Sequence, residues 1–167
     1  MHTSAAVSRY MLSLLDPMLV DVNDSHCALE PQPGAKTAGW LLGHLAVSGD
    51  FARRMCGRPS LCPTNWTKHF APGSKPSLNA DDYPPIARLI AAVRQVYAEL
   101  CVVAVSASAE TLAAPNPYAP ACAAFPTVGL FVAYLMTAHL GYHLGQLAGW
   151  RAAAGLGRVP RPDSLAA

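Results

Sequence analysis

Apolar residues recur at helical spacing over four stretches of the chain, and no stretch alternates convincingly as a strand. The first runs from about Ser4 to Leu19, with Ser4 as its predicted N-cap and Tyr10, Leu12, Leu14 and Leu15 among its apolar positions; Pro17 is expected to kink or end it. The second runs from about Thr37 to Cys56. Its end is well marked, because Arg53 and Arg54 fall in the last turn, Gly57 just beyond it and Pro59 after that. The third is expected to start near Asp81 or Asp82, with Pro84 and Pro85 in its first turn, and to reach about Val105. The fourth has Thr127 as predicted N-cap and ends near Ala154, before Gly155 and Gly157.

The connections carry the turn-forming residues. Pro31, Pro33 and Gly34 mark the segment 21–36 as loop, and Pro115, Pro117 and Pro120 mark 114–125, after a short helical turn capped by Ser108. The stretch 58–79 is long for a connection in a compact domain, so it needs anchors, for which Trp66 and Phe70 are the candidates. Four helices joined by loops in 167 residues predict an all-α four-helix bundle, a single domain over 1–167.

Composition narrows the partners. Apolar residues make up 52% of the chain and charged ones 13%, which favours a protein that buries extra surface against a partner. The net charge is only +2 and the basic residues are scattered, so neither nucleic acid nor an anionic membrane surface is expected. Between Thr111 and Trp150 there is no Asp, Glu, Lys or Arg, and 125–150 could span a bilayer by length. His139, His143 and Gln146 lie inside that stretch, and a buried helix of a soluble bundle explains it without placing them in lipid. The cysteines, Cys27, Cys56, Cys62, Cys101 and Cys122, are odd in number and lack a CxxC pair, so they read as reduced thiols. Arg9 and Asp16 interrupt the only early apolar run, and a cytoplasmic location is expected.

Two of the six histidines have HxxxH spacing, His139 and His143. Residues four apart on a helix differ by about 40°, so the two imidazoles stack on one face. Val128, Val132, Leu135, Met136, Gln146 and Trp150 project to the same side, so these histidines point with the core. His44 does the same on the second helix, sharing its face with Trp40, Leu41, Val47, Ser48, Phe51 and Met55. A lone inward histidine is more often a hydrogen-bonded core residue than a ligand. Three without an acid partner are more economically explained by a shared cation, since the only carboxylate on these helices, Asp50, projects away from His44. His2, His26 and His69 lie at the terminus or in loops and are expected to be exposed. Gly141, Gly145 and Gly149 repeat on the opposite side, where either close approach of another helix or simple tolerance accounts for them.

Several chemistries are missing. Leu140 follows His139, so there is no HExxH; nor is there an ExxH pair, a P-loop, a GxGxxG or a GxSxG. The segments GWLLGHLAVSGDFARRMCG and HLGYHLGQLAGWRAAAGL resemble the second and fourth helices of the DinB-like proteins. The resemblance implies a four-helix bundle with a metal on His44, His139 and His143, frequent homodimerisation and a metal that is often zinc or nickel. Imidazoles alone suit iron and copper as well. Several such proteins are thiol-dependent transferases or isomerases.

An enzyme is therefore the leading expectation: a divalent metal on three histidines activating a low-molecular-weight thiol or water, for a small-molecule substrate. Trp40, Phe51, Met136 and Trp150 are the expected pocket walls, with Gln146 and Ser48 hydrogen bonding near the metal. No residue reads as a general base, so thiol transfer needs fewer missing parts than hydrolysis. A non-catalytic metal-binding dimer acting as a structural or sensing module is the alternative. A metal-free interaction bundle is the third.

Overall fold

The computed structural model describes residues 1–159; residues 160–167 of the expected domain lie outside them. They form helices and turns, with one isolated β-bridge between Pro115 and Thr127.

The first long element comes in two pieces, α1 (His2–Ser13) and α2 (Leu15–Met18). Met1, not Ser4, occupies the N-cap position, and Ser4 lies inside the helix. Pro17 ends α1 a full turn upstream of itself, at Ser13, whose carbonyl it cannot pair and whose space its ring crowds. It sits in the single turn of α2, where its missing N–H would have had no intrahelical partner. The chain then turns at Asp21, whose φ of 64° is left-handed. The carbonyls left open at this end are met by the buried Arg151 near the C-terminus, whose guanidinium donates to Met18 O at 3.4 Å and to Val20 O.

Helix α3 (Ala38–Met55) has the expected bounds: the Thr37 hydroxyl accepts from the Trp40 N–H at 3.2 Å, and Gly57 follows with φ 81°. In the long connection, Trp66 and Phe70 are both buried and form the ends of the short helix α4 (Trp66–Phe70). Helix α5 (Ile86–Ser106) starts later than the acidic pair suggested. Ala80–Asp82 form a separate 3-10 turn, because Tyr83 and Pro84 each precede a proline and residues in that position are driven to extended backbone. The first amide of α5 is satisfied from far away, Ile86 N–H donating to Asp24 at 2.6 Å.

After α6 (Ala109–Ala113), capped by Ser108, the last long helix begins behind the Thr127 cap. It is one rod in three registers: α7 (Val128–Tyr134), a π turn (Leu135–His139) and α8 (Leu140–Ala153).

Helix α5 packs against both α3 and α1, and the last helix closes the bundle against α3 and α1. The segment Ala80–Ser106 is long and apolar enough to cross a membrane; Leu89, Val93, Val96, Tyr97 and Leu100 of its α5 part are buried in the core. Close approach explains one of the three glycines on the back of α8. A Cβ on Gly141 would lie 3.2 Å from the Met11 methyl, whereas Gly145 and Gly149 face open space.

Candidate metal centre

His44 comes from the middle of α3, His139 from the last position of the π turn and His143 from the first turn of α8. The three rings converge: their ligand atoms all lie within 4.8 Å of one another, and His44 Nε2 is 3.2 Å from His139 Nε2. His44 and His143 are buried and His139 is partly so.

The ring orientations are fixed from behind. His44 Nδ1–H donates to the Phe70 carbonyl at 2.7 Å, which leaves Nε2 bare and facing His139. His143 Nδ1 is bonded to Gln146 Oε1 at 2.7 Å, so its proton is held there and its Nε2 is likewise free. Gln146 is itself held by the Tyr142 hydroxyl, which accepts from its Nε2 at 3.0 Å. Trp40 stacks on His44 at 4.6 Å with the rings 8° from parallel, and Lys36 lies 3.9 Å over the Trp40 ring. Ser48 is at the limit of hydrogen bonding to His44, 3.5 Å. The Nδ1 of His139 is buried with no partner among the described residues.

This donor set fits a divalent cation. Two nitrogens bound tetrahedrally to one zinc at about 2.0–2.1 Å are about 3.3 Å apart, close to the 3.2 Å between His44 and His139. Burial holds all three rings in the neutral form that ligates. It lowers His139 to about 3, with the neighbouring His143 and His44 adding to the effect, and lowers His143 to about 4, where His44 and Lys36 also depress it and Gln146 opposes. His44 is lowered by burial too, against the pull of its bond to Phe70. Among the described residues no fourth His, Cys, Asp or Glu joins the group. The three-histidine group could therefore hold a metal ion with coordination positions left over for other ligands.

A cavity of about 570 Å³ reaches His44, Ser48 and His139. Of the walls expected from sequence only Phe51 belongs to it. Trp40 instead backs His44; Met136 is fully buried in the core; and Trp150 donates its N–H to Leu29 O at 2.9 Å. Trp150 also meets His26 edge-on, and His26 is half-buried with its Nδ1 accepting from the Asn23 N–H, not exposed as expected. His69 and His2 are exposed.

The missed walls have two origins. Tyr118, Pro120 and Phe125 come from the proline-rich 114–125 connection, for which helical projection says nothing. Tyr134 ends α7 just before the π turn: in an unbroken α-helix it would point about 140° away from His139. The extra residue of the wider turn brings it back, with its ring 5.8 Å from that of His139. Asp50 also reaches the cavity, and its carboxylate is saturated. It accepts from Arg53 at 2.8 Å, from the Ser60 hydroxyl at 2.5 Å and from the Leu61 and Cys62 amides.

No curated protein and no solved structure matches the chain. A family model described as the DinB superfamily matches residues 7–147, a span that takes in all three histidines, and the chain belongs to that superfamily.

Proposed function

We propose that this protein is a metal-dependent enzyme of the thiol-dependent transferase type, with one divalent ion, zinc or nickel, held by His44, His139 and His143. The observation that carries the reading is the cavity that reaches His44 and His139, since a purely structural metal needs no such space. A divalent ion bound there would supply Lewis-acid activation of a thiol or water at neutral pH.

The chain's own groups favour a nucleophile brought in from outside. The Cys62 thiol lines the cavity but is pushed up to about 12, by burial first and then by Asp50, so it stays protonated. Asp50, bound by four donors, cannot readily act as a base. What the residues do provide is orientation: the Phe70 carbonyl aims His44, and Gln146 aims His143. With no free base lining the cavity among the described residues, transfer of a thiol, whose proton is lost easily next to a cation, is better supported than hydrolysis.

The test is metal analysis of untagged protein, followed by assays of zinc- and nickel-loaded protein with common low-molecular-weight thiols and an apolar electrophile. Near-stoichiometric metal in wild type, its loss in His44→Ala, and thiol-dependent turnover that disappears in His143→Ala are expected. Metal binding without turnover for any thiol would favour the non-catalytic structural or sensing module. Absence of metal from wild type, even after loading, would sink both.

A further inference from the structure

The cavity has features that ligand activation at the histidines does not use. One wall is aromatic. Tyr118 and Phe131 stack at 5.6 Å with rings 6° from parallel, Phe131 and Tyr134 at 6.0 Å and 11°, and Phe51 meets Tyr118 edge-on at 6.0 Å. Two charged side chains reach the lining, Asp50 and Arg54. Asp50 is neutralised by the buried Arg53, which also pairs with Glu99 at 2.7 Å. Arg54 is different. No carboxylate pairs with it among the described residues, and its guanidinium lies 5.9 Å from the centroid of the Phe51 ring. A helix C-terminus accounts for a cation in this turn. It does not account for one laid over a ring of the cavity wall while its neighbour takes both acids.

We propose that the cavity takes an aromatic acid: a flat apolar body against Phe51, Tyr118 and Phe131, its carboxylate on Arg54, and its reacting end toward His44 and His139. The proposal rests on the cavity being the substrate site of the enzyme described above. Arg54 lies ten residues beyond His44 on α3, about 15 Å of helix rise, so the carboxylate and the reacting atom belong at opposite ends of the molecule. Stacking selects the ring system, and the guanidinium, with its forked donors, selects a carboxylate over a neutral group of the same shape.

The probes are 1-naphthylacetate and its neutral isostere 1-naphthylacetamide, titrated calorimetrically into metal-loaded and into chelator-treated protein. Arg54 is exposed, so the acid is expected to bind about three- to fivefold tighter than the amide in both preparations. Arg54→Gln should bring that preference below about twofold with amide binding unchanged; Arg54→Lys should retain part of it; Arg58→Gln, a nearby exposed cation outside the lining, should alter nothing. Equal binding of the two probes, failure of both to bind at millimolar concentration, or a preference that survives Arg54→Gln overturns the proposal. A preference confined to metal-loaded protein and indifferent to Arg54 would put the acid on the metal, which overturns the assignment to Arg54 while leaving the metal centre standing. Conversely, a preference that depends on Arg54 in chelator-treated protein upholds the proposal even if the proposed chemistry fails.

Discussion

The Nε2 atoms of His44 and His139 lie 3.2 Å apart across 95 residues of sequence, and the His44 ring bares a lone pair toward its partner because its proton is held at the Phe70 carbonyl. Without metal only a proton on His139 Nε2 can fill that gap, joining two of the rings; a cation there joins all three. Metal loading should therefore raise the melting temperature. At a free metal concentration one hundred times Kd the gain is about 2.7 kcal/mol, and a chain of this size gains about 2–4 °C per kcal/mol. The gain should be absent in His139→Ala, as read by differential scanning calorimetry with and without chelator.

Gln146 is the residue whose loss separates orientation from ligation. Its Oε1 holds His143 Nδ1 at 2.7 Å, so Gln146→Leu leaves three imidazoles but frees one to rotate. Metal affinity should fall about 10–100-fold, the usual effect of losing such a partner, with helical content unchanged by circular dichroism. An unaltered affinity would mean that packing alone holds the ring.

Acid should destabilise the metal-free protein in a defined window. The unfolded chain binds protons at its histidines below their ordinary value of about 6.5. Folded His139 and His143 resist until about 3 and about 4. Between those limits the unfolded state holds more protons, so stability rises with pH and is lost as pH falls from about 6.5 toward 3–4. Urea midpoints measured across this range should drop in wild type, and drop less in a variant with His139 and His143 replaced by Gln.

Gly43 precedes His44 and faces the ring of Phe70, the residue whose carbonyl orients the histidine. A Cβ there would come within 2.5 Å of that ring. Gly43→Ala should cost about 1–3 kcal/mol of stability through overpacking. It should also weaken metal binding to the extent that the crowded, buried Phe70 relieves the clash through its backbone, whose carbonyl orients His44. Chemical denaturation and metal titration of one variant check both effects.

Cys62 lines the cavity with its thiol pushed up to about 12. Alkylation of native protein by iodoacetamide at pH 8 should leave it unmodified, as mass spectrometry of tryptic peptides would show. Cys62→Ala should retain metal.

These expectations rest on features that differ in how far the linear chain reveals them. The inward histidines were legible because α3 and α8 are regular where they carry His44 and His143, and because Thr37, Gly57, Ser108 and Thr127 mark helix ends by local chemistry. Helix bounds were misread where a proline acts on the residues before it. Helix α5 starts at Ile86 because Tyr83 and Pro84 are driven extended by the prolines that follow them, and Asp24, 62 residues earlier, then takes its first amide. Pro17 likewise acts upstream: it ends α1 at Ser13, a full turn before itself. Tyr134 was hidden by one residue of altered helical register, and the cavity's other walls by a connection whose path depends on Asn116, buried between the Phe125 carbonyl and the Tyr118 amide.

The hydrogen bond from His44 to the Phe70 carbonyl ties the centre to a part of the molecule that belongs to none of the four long helices. Bundle assembly brings all three imidazoles together, because α3 packs on the last helix, but the aim of the His44 ring comes from the strap between α3 and α5, pinned by its aromatic pegs. A protease nick in that strap is therefore expected to slacken the aim of His44, and with it the affinity for an ion, while the helical rods stay assembled.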